Sequence, residues 1–311
     1  MNSGKQRVAI LGGTGFVGSN LREELESTSY EVGVFSRTTG CDLKDMPSAW
    51  KAIDSFRPSV IVNCAAVVGS VNYVSDFAAD VIDENMRIIL NTYKIAQNMH
   101  DTVIINPVAN CGYPGELNSY EEGKFWDGPI HTSVLSYGST RRMMLAFAES
   151  YRRQYGVRSV NLFVPNIYGP YDSTNPNKTH ALNALVIKFV SAMKQNRESI
   201  EIWGTGKPIR EWLYVKDFAR LVKAIIEEEN YFSDAVNIAQ NHGETVRALV
   251  EALLEVTGYS GEIVYNTKYQ DGAPKKVMND SLFREKFPDF RFTDINKGIG
   301  ETIEFYERVL Q

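Results

Sequence analysis

Glycines at 12, 15 and 18 punctuate the turn after the chain's first apolar run, 8–11, and a helical pattern then begins at Val17. The order is strand, tight turn, helix, and few architectures accommodate it. Gly12 permits the sharp turn. Gly15 lets backbone come close to a pyrophosphate, and Gly18 lets the helix pack on the strand. The helix N-terminus adds free N–H groups and a partial positive charge. A plain glycine turn is the alternative. The placement between a strand and a helix, at the start of the chain, favours a dinucleotide site.

Strand-like and helix-like segments alternate through the first half of the chain. Strands are expected at 8–11, 31–35, 59–64, 102–105 and 159–164, and helices at 17–27, 47–56, 82–99 and 135–155. Such alternation predicts an α/β fold with a Rossmann-type, doubly wound parallel sheet. The second half is less regular. Residues 165–183 are rich in Pro, Gly, Asn and Tyr and read as a long functional loop. Helices are expected at 184–195, 215–229 and 245–257 and from 296 onward, with a strand at 235–238 and short strands within 201–214. This predicts a dinucleotide-binding domain over 1–169 and a smaller, mainly substrate-binding lobe over 170–311. Segments near 215–240 are expected to return to the first domain.

Composition narrows the function classes. The formal net charge of −5 gives no electrostatic case for nucleic acid. Cys41, Cys64 and Cys111 are odd in number and widely spaced, which suits neither a disulfide framework nor a zinc site. The N-terminus resembles no signal peptide, and no apolar run is long enough to span a membrane. The expectation is a cytoplasmic protein with no metal site and no membrane contact.

NAD-specific versions of this fold carry an acidic residue at the end of the second strand, on the ribose 2′-hydroxyl. Here the strand at 31–35 runs into Ser36-Arg37. No carboxylate stands there to repel a 2′-phosphate, and Arg37 can pair with one. The reading is NADP over NAD. The alternative makes Arg37 a solvated loop residue and brings Asp42 to the adenine. Ala65 and Ala66 end the third strand in small residues, either to let a cofactor lie flat or simply for packing. Thr14, Phe16, Val17 and Leu43 complete the expected cofactor contacts.

Tyr137-Gly-Ser-Thr-Arg141 opens the long helix, with the phenol and the cation on one side. A nearby positive charge favours phenolate and is expected to lower the phenol pKa. The spacing resembles the Tyr-x-x-x-Lys of short-chain dehydrogenases. The N-terminal glycine motif and the length match their extended branch, which acts on nucleotide sugars. A narrower likeness runs nearly end to end. It rests on Ala65-Ala66-Val-Val-Gly69, Asp83-Glu-Asn-Met86, Cys111-Gly-Tyr-Pro114, Tyr151-Arg-Arg-Gln-Tyr-Gly156, Asn166-Ile-Tyr-Gly-Pro170, His180, Trp203-Gly-Thr-Gly206, Arg210-Glu211 and Asp271-Gly-Ala-Pro-Lys275. In this order the motifs resemble the GDP-L-fucose synthase family, epimerase/reductases of GDP-4-keto-6-deoxymannose that pair as homodimers.

By position, the resemblance implies that Cys111 and His180 are the acid/base pair of epimerisation. A 4-keto sugar has acidic C–H bonds at C3 and C5, so inversion needs a base on one face and an acid on the other. Cysteine and histidine titrate near enough to neutrality to exchange such protons. The same resemblance implies that Arg210 grips the diphosphate and that Trp203 lies in the nucleotide-binding segment. Lys188 stands for a family arginine near the phosphates, keeping the charge without the bidentate fork. Asn166 is expected at the junction of cofactor and substrate. Asp271 either contacts the nucleotide or organises a turn. Met143, Met144 and Phe147 are expected beyond the narrow stripe that packs on the sheet, where helices of two subunits would pair.

Two family positions are changed. The serine expected four residues before Tyr113 is Ala109, and the usual lysine is Arg141. Asn110 is adjacent and polar. Arginine keeps the charge but does not readily give up a proton. Loss of an oxyanion donor typically costs about 10²–10³ in rate. Three readings follow: an NADP(H)-dependent epimerase/reductase of a 4-keto nucleotide-diphosphate sugar, a C3 and/or C5 epimerase without net reduction, or a non-catalytic sugar-nucleotide-binding protein.

Overall fold

The computed structural model describes residues 6–99, 101–117, 119–269, 271 and 273–310. Gly272 of the Asp-Gly-Ala-Pro-Lys stretch and the N-terminal segment 1–5 lie outside the described residues. The first half runs β1 (Arg7–Leu11), α1 (Phe16–Glu26), β2 (Glu31–Phe35), α2 (Met46–Phe56), β3 (Val60–Asn63), α3 (Val71–Asp76), α4 (Ala78–Gln97), β4 (Val103–Ala109), α5 (Leu135–Tyr155) and β5 (Arg158–Val164). The second half runs β6 (Asn166–Tyr168), α6 (Ala181–Lys194), β7 (Ser199–Trp203), β8 (Ile209–Arg210), β9 (Trp212–Tyr214), α7 (Val215–Glu227), β10 (Ala235–Asn237), β11 (Glu244–Thr245), α8 (Val246–Thr257), β12 (Glu262–Asn266), β13 (Lys275–Lys276), α9 (Ser281–Lys286) and α10 (Ile295–Val309).

Six strands form one parallel sheet in the order β2-β1-β3-β4-β5-β10. Their apolar runs are buried on both faces, as parallel strands under crossover helices require. Ala9, Leu11, Ile61 and Ile104 face one core with Ile53 of α2, Ile89 and Tyr93 of α4 and Met144 of α5. Val8, Ile10, Val62 and Ile105 face the other, with Leu21 of α1 and Phe218 and Val222 of α7. A third core joins α6, α8 and α10 through Leu182, Phe189, Leu253 and Ile303. The strand order reverses direction between β1 and β3. The mouth of that switch point is where such sheets bind ligands.

Three expectations need correction. The strand at 102–105 continues to Ala109, through Pro107. Proline is tolerated because β3 pairs β4 only as far as Ile105, leaving that side of β4 free beyond it. The loop expected over 165–183 contains β6, which pairs in parallel with β9, Asn166 opposite Trp212. It also ends early, since α6 begins at Ala181. A short helix, α3, precedes α4 and is capped by Ser70, whose hydroxyl accepts the Tyr73 N–H at 3.2 Å.

Candidate active site

The glycine loop packs directly on the end of β3. Gly12 has φ +73°, and a Cβ there would sit 2.8 Å from the Ala65 Cα. A Cβ on Gly18 would lie 2.3 Å from the Gly12 carbonyl oxygen. Helix α1 begins after Gly15 without a side-chain cap and without an acidic residue in its first turn. Its leading N–H groups therefore have no intrahelical partner, and the cradle is open to an anion. These features fit the pyrophosphate of a dinucleotide.

A pocket of about 230 Å³ lies beside this loop, walled by Gly12, Thr14, Gly15, Arg37, Asp42, Leu43, Ala65 and Ala66. Ser36, Thr38, Lys44 and Glu84 also line it and were not singled out in the sequence. The hydroxyls of Thr14 and Ser36 both reach Thr38, at 3.0 and 2.9 Å. Arg37 starts the short 3-10 turn that follows β2. Asp42 accepts the Lys44 N–H at 3.0 Å, and the Lys44 ammonium pairs with Glu84 at 2.8 Å. The run Ser-Arg-Thr-Thr directly after a strand was the available signal for the hydroxyls.

A second cleft, of about 310 Å³, shares Gly15, Cys64, Ala65 and Ala66 with the first. The two thus form one groove across the switch point. Its far end collects Phe16, Val17, Ala109, Asn110, Cys111, Tyr137, Arg141, Asn166 and His180. The extended β4 delivers residues 109–111 to it. Gly138 allows this segment to press against α5, because a Cβ there would lie 2.6 Å from the Cys111 carbonyl oxygen. Arg142 fixes the same turn by donating to the Gly112 and Gly128 carbonyls, both at 2.8 Å.

Burial sets the protonation of the two acids here. It pushes the Tyr137 phenol above its ordinary value, with Arg141 pulling the other way and Cys111 adding to the rise. The expectation that the cation lowers this phenol is corrected: desolvation outweighs the charge. Burial likewise pushes the Cys111 thiol up to about 11, against the opposing charges of Arg141 and Lys276. The expected near-neutral thiol is thus a protonated one. Arg141 is buried, its guanidinium 4.6 Å from the Tyr137 ring centre. One arm donates to the Asn85 side-chain oxygen at 3.1 Å. Asn85 in turn bonds both polar backbone groups of Val67, at 3.1 and 2.8 Å, so Arg141 is tied to the loop after β3. Asn85 lies in the Asp83–Met86 motif, yet nothing in the sequence assigned it this task.

His180 is the residue before α6, and its ring lies 5.4 Å from that of Phe16. Its Nδ1 faces the buried Asp172 carboxylate at 3.1 Å. The sequence reading missed Asp172; its position inside the Tyr-Gly-Pro loop, eight residues before His180, was the only cue. Asn166 donates through its backbone and side chain to the Glu211 carbonyl, at 3.3 and 3.2 Å. The Glu211 carboxylate is pushed up to about 7, chiefly by burial, and accepts the Gln240 and Met278 N–H groups.

Lys188, Trp203, Arg210 and Asp271 do not wall the cleft; they lie on α6, at the end of β7, on β8 and just before β13. The Lys188 ammonium lies 5.0 Å from the Trp203 ring, and Trp203, 54% exposed, stacks on Tyr269 at 4.4 Å. Asp271 accepts from the Thr205 backbone at 2.9 Å and from its hydroxyl, so it organises the Gly204-Thr205 turn. Burial lowers the pKa of Arg210, as it does that of the neighbouring Lys276. Lys276, on the strand beside Arg210, is a further cation the sequence reading passed over.

Comparisons with known proteins agree with this architecture. The chain is 26% identical to the GDP-L-fucose synthase of Dictyostelium discoideum, covering 97% of this chain and 95% of the relative. It is 28% identical to the GDP-L-fucose synthase of Escherichia coli, covering 88% of each. A solved GDP-L-fucose synthetase from Naegleria fowleri, bound to NADP, superposes with a TM-score of 0.88 at 21% identity, covering 98% of this chain and 95% of that one. A GDP-mannoheptose C4 reductase from Campylobacter jejuni with NADP bound gives 0.84 at 24% identity, covering 99% of both. The structural likenesses establish the fold. Residues 8–239, from the first strand to the end of the sixth sheet strand and just beyond, match one enzyme family, and the chain belongs to it: the NAD dependent epimerase/dehydratase family.

Proposed function

We propose that the chain is an NADP(H)-dependent epimerase/reductase of a 4-keto nucleotide-diphosphate sugar, most simply a GDP-sugar. The observation that carries this reading is the single groove that leads from Arg37 to a cleft walled by Tyr137, Cys111 and His180. Arg37, with the Ser36, Thr38 and Thr14 hydroxyls, holds the adenosine 2′-phosphate. The glycine cradle and the first turn of α1 hold the pyrophosphate. NADPH, when bound, supplies the hydride for C4. Tyr137 stays a neutral phenol at physiological pH and hydrogen-bonds the C4 oxygen, donating its proton as that oxygen gains charge. Arg141 keeps its charge beside the phenol and holds the loop after β3 through Asn85. Cys111 and His180 work on the carbons next to the ketone. In the second lobe, Arg210 and Lys276 bind the diphosphate, and Lys188 and Trp203 face the nucleotide beside the turn that Asp271 organises.

A second reading is epimerisation without net reduction; Ala109, which lines the cleft where a hydroxyl would assist the C4 oxygen, slows both steps, because the enolate and the reduced oxygen both carry charge there. Loss of NADPH absorbance on mixing enzyme with GDP-4-keto-6-deoxymannose tests the choice. Stoichiometric consumption supports the epimerase/reductase; no consumption, with deuterium still washing in beside the ketone, supports the second reading, and neither, with both ligands bound, supports a non-catalytic binding protein.

A further inference from the structure

Asp172 is a buried carboxylate that no step above uses. Its side chain is 3% exposed, and both of its oxygens lie 3.1 Å from the His180 Nδ1. It also accepts the backbone N–H groups of Ser173 and His180 and the Asn183 amide, each at 2.8 Å. Burial opposes its charge, but the hydrogen bond from His180, the charge of that ring when protonated, and the Asn183 amide hold its carboxyl below the usual range. Its own backbone is anchored, since the Tyr306 hydroxyl donates to the Asp172 carbonyl at 2.9 Å. Asn183 is anchored as well, accepting the Gly169 N–H at 3.0 Å.

An ionised carboxylate only accepts hydrogen bonds, so the His180 Nδ1 must donate. In the neutral ring the remaining nitrogen, Nε2, then carries the lone pair. Phe16, in the first turn of α1, packs on the same ring. The imidazole is held between the carboxylate and the dinucleotide turn, with His180 in the cleft wall.

We propose that Asp172 is the positioning residue that fixes His180 in its Nδ1–H tautomer, making Nε2 the base of epimerisation and Cys111 the opposing acid. The proposal rests on the epimerase reading above. The His180 Nε2 takes the proton from a carbon next to the ketone, and the C–H electron pair moves onto the C4 oxygen as an enolate. The enolate then takes a proton from the Cys111 Sγ on the opposite face, which inverts the carbon. Imidazolium and thiolate return to neutrality by exchange with solvent. The half-buried thiol, pushed up to about 11 by desolvation, suits the acid role. The bland alternative is that Asp172 only caps the start of α6 through the His180 N–H.

Two readouts separate these. Nitrogen-15 spectra of the wild-type protein report the tautomer of each of its four histidines, and the spectrum of His180→Gln assigns the resonance. The Nδ1–H form is expected for His180, and the Nε2–H form would overturn the proposal. Asp172→Asn removes the charged acceptor with little change in shape. It should move His180 to the Nε2–H form and slow deuterium wash-in from D₂O into GDP-4-keto-6-deoxymannose by about 100-fold or more. NADPH affinity should be unchanged. Wash-in at the wild-type rate from a variant whose tautomer has flipped would overturn the base role. Should Asp172→Asn fail to fold, the wild-type tautomer still decides. Absence of wash-in from the wild type contradicts the epimerase reading and the base role with it, while the tautomer result separately decides what Asp172 does.

Discussion

Arg37 stands where an NAD enzyme keeps an acid, and its neighbours are hydroxyls. Arg37→Asp should reverse the preference for NADPH over NADH, changing the affinity ratio by about 10- to 100-fold, as expected for a charged hydrogen bond. Calorimetry at fixed salt checks this; equal wild-type affinities would remove the argument. Cys111 offers a second test. With its thiol raised to about 11 by burial, the thiolate is scarce at neutral pH. Alkylation at Cys111, resolved by mass spectrometry, should keep accelerating with pH well past the ordinary thiol range. A plateau below about pH 9 would contradict that environment. The spacing from Tyr137 to Arg141 made the phenol visible in the sequence, whereas Cys111 and His180 stood out only through the family resemblance. The sequence did not show that the Cys111 thiol and the Tyr137 phenol are pushed up, because desolvation depends on packing that only folding creates and here outweighs the nearby cations. Asp172 escaped for the same reason: a loop aspartate reads as solvated until its burial is seen.

At the scale of elements, local pattern located most helices and strands, and α5 (Leu135–Tyr155) was legible to the residue. What was missed depends on remote partners. β6 is three residues long and exists through its pairing with β9, more than forty residues later in the chain. β13 likewise pairs with β8 across a long separation. The extension of β4 through Pro107 required knowing where β3 stops pairing, and it delivers Ala109, Asn110 and Cys111 to the cleft. The glycine turn was readable because backbone geometry allows few residues there. Gly18 is its sharpest test, since a Cβ would lie 2.3 Å from the Gly12 carbonyl oxygen. Gly18→Ala should destabilise the protein by about 1–3 kcal/mol and weaken dinucleotide binding. Urea melts check the first and calorimetry the second; a loss under about 0.5 kcal/mol would show that the helix need not pack so closely.

At the scale of the molecule, α4 and α5 pack side by side and still expose apolar side chains. Ile82 and Met143 are each 41% exposed, whereas Met144 is fully buried in its own subunit and is removed from the expected pairing face. Phe147 packs partly on Tyr93 and Tyr151. A homodimer through these helices should give a light-scattering mass near twice the 35.0 kDa chain at micromolar concentration. A mass near one chain would refute the pairing. Among the described residues, no helix is long and apolar enough to cross a membrane. On the proposed function, the far end of the groove inverts carbons beside a ketone. Incubation with GDP-4-keto-6-deoxymannose in D₂O, read by proton NMR without NADPH, tests it most directly. Deuterium should enter at C3, C5 or both, and entry should be suppressed in Cys111→Ser and His180→Gln with NADPH affinity retained. Full retention of both protons by the wild type, with the sugar nucleotide demonstrably bound, would contradict it.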